Sequence, residues 1–261
     1  MNKDDEILLN SIDSKLRQCT DQYCVTHTSF LDPRQCSLAE STFAHTRHLL
    51  YGGYGDAERR IMVFLPDYID LPGGKPGFSG SLPLDEEDDP LCILRASVPR
   101  GSTPLTHRDY LGALLGLGVD RSISGDILVR KDGADLIVLK SMSEFLLMNY
   151  TQAGRASLTC SLLPLSALDP GEVHTREKRD TLASLRLDNL VSSAFDLSRT
   201  KAQEAIAGGI VLLDGLQVLK PDATVQEGCR VVLRGKGKAV LKEVGKTTRK
   251  DRIAVIVEVY V

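Results

Sequence analysis

The side chains best placed to do chemistry are basic and gather late in the chain. Between Arg230 and Arg252 stand nine Lys/Arg (Arg230, Arg234, Lys236, Lys238, Lys242, Lys246, Arg249, Lys250 and Arg252), against Glu243 and Asp251. Gly235 and Gly237 let backbone and lysines come close to an irregular surface. Upstream, Arg186, Arg199 and Lys201 fall on a predicted helical pair. Arginines on a helix pair beside a basic, glycine-containing sheet edge make a surface for phosphates.

Other groups with chemical potential are weaker. Cys19, Cys24, Cys36 and His27 fit no zinc spacing. His45 and His48 lie three apart on a predicted helix, with no carboxylate at metal spacing nearby. His107, Arg108 and Asp109 have neither an activated nucleophile nor a nucleotide loop beside them, and read as capping and contact residues. Gly235-Lys236-Gly237-Lys238 lacks the upstream glycine and following Ser/Thr of a phosphate loop. Gly52-Gly53 precedes a strand instead of opening a helix, which excludes a dinucleotide fingerprint. We therefore expect no catalytic residue, metal, cofactor or small-molecule substrate.

The elements that must position the basic groups follow from periodicity. Leu182, Leu185, Leu187, Leu190, Val191, Ala194 and Phe195 form one apolar helical face. Ser198 is a helix cap for Arg199–Ala207, Gly208-Gly209 stops that helix, and Asp214-Gly215 turns a hairpin after a strand from Ile210 to Leu213. Residues 4–19 predict an amphipathic helix with Ile7, Leu8, Ile12 and Leu16 inward. Asp32-Pro33 opens another, running to about His48. Residues 91–165 read βαββαβ, a ferredoxin-like order: strands at 91–98, 125–129, 134–140 and 156–163, helices at about 106–117 and 142–150. Its strands carry no aromatics on which bases could stack, unlike the usual RNA-recognition motif.

The 261 residues carry 32 Lys/Arg and 35 Asp/Glu, a net charge of −3. Residues 181–261 hold thirteen Lys/Arg against nine Asp/Glu, which leaves −7 for residues 1–180. An acidic body with a basic module suggests a polyanion met at one end. No apolar run approaches membrane length and the first six residues are not a signal peptide. The expectation is a cytoplasmic protein, no membrane partner, and six reduced cysteines. The pattern fixes no oligomeric state.

The run Arg186-Leu187-Asp188, Ser198-Arg199, Gly208-Gly209, Asp214-Gly215 and Val225 to Val231 resembles the small RNA-binding domain named after ribosomal protein S-four (the alpha-L motif). Tyr51-Gly52-Gly53-Tyr54, Ala57-Glu58-Arg59 and the run from Thr106-His107-Arg108-Asp109 to Gly125-Asp126-Ile127 resemble the YlmH-like family of bacterial RNA-binding proteins, which ends in that domain. The fold expected is α+β. An N-terminal α-rich region (1–75) and a linker (76–90) precede the ferredoxin-like, RRM-like domain (91–165). A second linker (166–180) leads to the S-four-type domain (181–261), two helices plus a small sheet. The resemblance implies structured ribosomal or transfer RNA and the large ribosomal subunit as partners, in rescue of stalled ribosomes. It assigns RNA contacts to Arg186, Ser198, Arg199, Lys201, Arg234, Lys236, Lys238, Arg249 and Lys250, with Tyr54, Arg59, His107 and Arg108 as secondary contacts. The same module opens many pseudouridine synthases, ahead of a catalytic domain. Here it comes last and the upstream regions lack the aspartate-centred motif, so no enzyme is expected. The alternatives are a protein-interaction adaptor, for example in cell division, and an RNA-modifying enzyme using the His107 region.

Overall fold

Asp4-Asp5-Glu6 favour the positive end of a helix dipole, and α1 (Lys3–Gln22) begins there. The computed structural model describes residues 3–72, 77–169, 175–248 and 251–260, and the chain divides into two units, Met1–Pro170 and Gly171–Val261. Ile12 and Cys19 of α1 are buried, whereas Ile7, expected on the same face, is 59% exposed. The buried Asp5 accepts hydrogen bonds from Arg34 Nη2 on both carboxylate oxygens at 2.8 Å.

After β1 (Thr26–His27), α2 (Pro33–Thr42) starts at the anticipated Asp32-Pro33. The Asp32 carboxylate accepts from the Gln35 N–H at 2.8 Å, and the Gln35 side chain accepts back from the Asp32 N–H at 2.9 Å, a reciprocal cap. The helix stops at Thr42, short of the expected end near His48. His48 opens β2 (His48–Tyr51) instead, so His45 and His48 share no helix face. β2 and β3 (Ile61–Phe64) are buried along their whole length. Such runs lack the alternation by which a half-exposed strand is recognised. β4 (Gly77–Ser79) pairs parallel with β2, completing the sheet order β1-β3-β2-β4. The α-rich region thus holds a four-stranded sheet beside its helices, and the stretch expected as the 76–90 linker supplies one of its strands.

The middle region runs β5 (Leu91–Ser97), α3 (His107–Gly116), β6 (Ser124–Arg130), β7 (Gly133–Leu139), α4 (Ser143–Asn149), a two-residue ribbon of β8 (Gln152–Ala153) and β9 (Ala156–Ser157), then β10 (Thr159–Leu163). The expected strand 156–163 is thus split at Leu158. The sheet order β10-β5-β7-β6, antiparallel throughout, is the ferredoxin-like arrangement. Alternation along β5 and β7 turns Leu94, Ala96, Leu136 and Val138 toward Tyr110, Leu114 and Leu146 of the helices. The opposite face packs Leu91, Ile137 and Leu139 against Leu49, Tyr51, Ile61 and Val63 of the N-terminal sheet, giving one shared core.

The turn between β2 and β3 holds these sheets together. Gly52 has no room for a side chain: a Cβ there would sit 2.3 Å from Ala57 Cβ and 2.7 Å from Arg59 O. Gly53 takes φ +89°, which favours glycine. This geometry aims three donors at Asp126 on β6: the Tyr54 hydroxyl at 2.8 Å and the N–H groups of Glu58 and Arg59 at 2.7 and 3.1 Å.

In the second unit, β11 (Thr175–Leu182) leads to α5 (Leu187–Ala194), α6 (Arg199–Ala207), β12 (Val211–Leu213), β13 (Leu216–Gln217), β14 (Arg230–Leu233), β15 (Gly237–Thr247) and β16 (Ile253–Tyr260). The sheet order is β11-β16-β15-β14-β12-β13. Leu187, Leu190, Val191, Ala202 and Ile206 of the helices bury against Val231, Leu233, Leu241 and Val257 of the sheet. The segment expected as the 166–180 linker therefore contributes most of β11, paired from Thr175↔Tyr260 to Leu182↔Ile253. Leu182 is buried as a strand residue and α5 starts five residues later, because the period-two pattern of Lys178, Asp180 and Leu182 continues the sheet.

Removing the acceptor that joins the two sheets of the first unit should cost more than removing one donor. Tyr54→Phe is expected to lower unfolding stability by about 1 kcal/mol, and Asp126→Ala, which strands three donors, by about 3 kcal/mol or more, read by urea denaturation. Equal losses would contradict the shared-acceptor arrangement.

Candidate nucleic-acid interface

The centre of the C-terminal surface is a carboxylate. Asp188, in the first turn of α5, has no exposed side-chain area. A buried charge must be paired and hydrogen-bonded to be tolerated. Arg186 Nε and Nη2 donate to its two oxygens at 3.1 Å, Arg199 Nε donates at 3.2 Å and Gln203 Nε2 at 2.9 Å. The Asn189 N–H adds a bond of 3.0 Å. Burial alone would raise the Asp188 carboxyl; the bonds from Arg186, Gln203 and Arg199 outweigh it and hold it at about 2.

That arrangement explains why the Arg-Leu-Asp and Ser-Arg marks belong together. Arg186 stands just before α5 and Arg199 opens α6, yet each is oriented by the same carboxylate. Their side chains remain 36% and 55% exposed, and a guanidinium has five donors, so each keeps N–H groups for a phosphate after binding Asp188. Ser198 acts as a cap: its Oγ accepts from the Lys201 N–H at 3.2 Å, starting α6 and leaving the Lys201 side chain exposed.

The remaining C-terminal residues flank this fork. Arg234 and Lys236 are exposed at the turn between β14 and β15, whose glycines take φ +81° at Gly235 and +126° at Gly237. The turn is fastened to the start of β12 by the Arg234 N–H bonded to Ile210 O at 3.0 Å. Lys238 lies 4.0 Å from the centre of the Tyr260 ring, a cation–π contact. Arg249 and Lys250 fall outside the described residues. Lys242 is held in ion pairs with Glu177 at 2.7 Å and Glu258 at 3.7 Å.

Two basic residues escaped the sequence reading because their segment looked like a connector. Lys178 on β11 donates to Ser193 O at 2.7 Å and to the Asp196 carboxylate; Arg176 reaches the same carboxylate at 3.6 Å. Asp196 occupies the turn after α5 with φ +53°. Lys178, then Arg176 and Lys236, hold its carboxyl below the usual range. Positive charge from β11 and from the β14–β15 turn thus meets at the α5–α6 turn. The alternation in Thr175–Leu182 was the available signal.

The first unit places its candidates differently. Tyr54 and Arg59 spend their hydrogen bonds inside the fold: Tyr54 on Asp126, Arg59 Nε on Ser124 O at 3.1 Å and Arg59 Nη2 on Phe30 O at 3.3 Å. His107 and Arg108 are exposed on the first turn of α3, and Asp109 accepts from the Thr106 N–H and hydroxyl at 2.7 Å, a capping role. The sheet face an RNA-recognition motif would use is covered by the N-terminal sheet, with Ile93 and Ile137 fully buried.

Comparison with known proteins finds a family match in each unit. Residues 85–167 match the family model described as "Putative RNA-binding domain in YlmH", and residues 185–231 match the S4 domain. Over 258 residues the chain is 31% identical to ribosome-associated protein quality control protein P2 of Bacillus subtilis (strain 168), covering 98% of this chain and 95% of that protein. A solved structure of cell division protein ylmH from Streptococcus pneumoniae aligns over 65% of this chain and 97% of its own, with a TM-score of 0.48 and 20% identity.

Asp188 links the fork to stability. Its folded pKa of about 2 lies below the ordinary 3.8, so it contributes stability above pH 4 that is lost as pH falls through 2. Asp188→Asn should lower the stability of the C-terminal unit by about 2 kcal/mol at pH 7, and the gap from wild type should close between about pH 4 and pH 2. Urea titrations followed by hydrogen exchange in α5 would read it; a gap independent of pH would rule out the charge-based account.

Proposed function

The chain belongs to the YlmH-like family of RNA-binding proteins, and we propose from this that it is a non-catalytic factor acting on the ribosome in the cytoplasm. Its C-terminal unit clasps the backbone of structured ribosomal or transfer RNA, and the large subunit is its platform. The observation that carries this reading is the fork on Asp188, where one arginine before α5 and one at the start of α6 are held in fixed orientation with free donors. The match along nearly the whole length to a relative named for ribosome-associated quality control supports the setting, and rescue of stalled ribosomes is the role it suggests.

Mechanistically, Arg186 and Arg199 each offer two-donor contacts to phosphate oxygens, while Lys201, Arg234 and Lys236 add point charges around them. Lys238 at the start of β15 and the Tyr260 ring at the end of β16 extend the surface across the sheet. Arg249 and Lys250 belong to the same proposal by sequence, and exposed His107 and Arg108 are secondary contacts in the first unit. Contacts of this kind position RNA by backbone shape and 2′-hydroxyls, without reading base sequence. A fixed fork loses little side-chain freedom on binding, which favours affinity without a large interface.

Lys201→Glu/Lys236→Glu tests the reading with residues that do not hold the fold. Wild type should co-sediment with large ribosomal subunits at low salt, and its log affinity should fall linearly with log salt. Losing two phosphate contacts should make that slope shallower by about 1.5. Co-sedimentation of the variant like wild type at every salt would sink the proposed surface. Wild type remaining in the supernatant throughout would sink the ribosomal reading.

A further inference from the structure

Two motif arginines that the C-terminal surface does not use meet in the first unit. Arg59 comes from the β2–β3 turn, and Arg121 from the 3-10 turn Arg121–Ile123 that precedes β6. Both are half-buried and line one cavity of about 500 Å³, within the size range of small-ligand sites. Both donate to the same carbonyl, Ser124 O, Arg59 through Nε at 3.1 Å and Arg121 through Nη1. Arg121 Nη2 continues to Gly125 O at 2.8 Å and Arg59 Nη2 to Phe30 O at 3.3 Å.

Neither guanidinium takes part in an ion pair among the described residues. The nearby carboxylates are engaged otherwise: Asp32 caps α2, Asp120 accepts from the Ser122 N–H at 2.8 Å, and Asp126 holds the β2–β3 turn. Two cations therefore face each other in a partly desolvated site, hydrogen-bonded to carbonyls, with the charges of Asp32, Asp126 and Asp120 only partly offsetting the burial of Arg59. Burial first, and then the charge of Arg59, push Arg121 down to about 10, against the opposing pull of Asp126. An anion entering the cavity would relieve both effects.

The walls narrow the choice of anion. Asp4, Asp32 and Asp120 also line the cavity, so a run of RNA phosphates would meet repulsion there. A single phosphate carrying a sugar would meet less of it, because it brings one anionic group for the two arginines and ribose hydroxyls that can donate to these carboxylates. Ile7, 59% exposed, and Leu8 offer an apolar wall beside them. We propose that this cavity binds one nucleotide by its phosphate, with Arg59 and Arg121 as the anion ligands. This site is independent of the ribosomal reading.

The test uses the full chain with AMP, adenosine and inorganic phosphate, followed by thermal melting and hydrogen exchange. AMP should raise the melting temperature saturably and protect residues 57–60 and 120–125, and adenosine should do neither. Arg121→Met should weaken the AMP midpoint at least about tenfold, the loss of one charge-assisted contact, with Arg121→Lys in between. Should Arg121→Met fail to fold, the exchange map of the unsubstituted chain decides. No saturable AMP effect, an equal response to adenosine, or protection confined to residues 186–238 would overturn the proposal. Inorganic phosphate binding as tightly as AMP would overturn the nucleotide assignment.

Discussion

A carboxylate shut away from water between two guanidiniums sets the terms for the C-terminal unit. Asp188 could not be buried alone, and Arg186 and Arg199 could not be held alone in one direction at the surface. Each condition satisfies the other. The pairing fixes where α5 and α6 cross, because Arg199 and Gln203 of α6 must reach a residue in the first turn of α5. Packing of Leu190, Val191, Ala202 and Ile206 then follows on the inner side of the same helices. One electrostatic contact thus serves the fold and aims the binding groups.

The first unit repeats the device with a different outcome. Asp126 gathers three donors from the β2–β3 turn, and its effect is to close two sheets on each other. That closure removes the open face which a ferredoxin-like sheet often offers to ligands. The architecture of an RNA-recognition motif is present, but its usual surface has become core. Fold alone would have suggested the wrong face.

Legibility in the sequence followed how local each signal was. The C-terminal helix pair was readable because Ser198, Gly208-Gly209 and Asp214-Gly215 are local stop and start signs, and Asp214 and Gly215 take φ +49° and +79° as a two-residue hairpin requires. The βαββαβ order of the middle region came from alternation against the helices. The N-terminal sheet was hidden because β2 and β3 are covered on both faces and β4 pairs parallel with a strand some thirty residues earlier. His48 was misplaced for that reason. The basic residues of the candidate surface were visible as types, but nothing linear shows that Arg186 and Arg199 share one oxygen acceptor. Arg176 and Lys178 were passed over because a charged segment resembles a connector until its partner strand is known.

That partner strand has a consequence for how the protein is made. β11 has one neighbour in its sheet, β16, and the pairing joins Thr175 to Tyr260 and Leu182 to Ile253. A ribosome synthesises β11 first and β16 last among the elements of this unit, so the early strand waits unpaired through about seventy residues of elongation. Contacts of such long separation close late and slowly. The support that Lys178 gives to the α5–α6 turn therefore arrives only with the final strand, and nascent chains cut short before β16 would lack it.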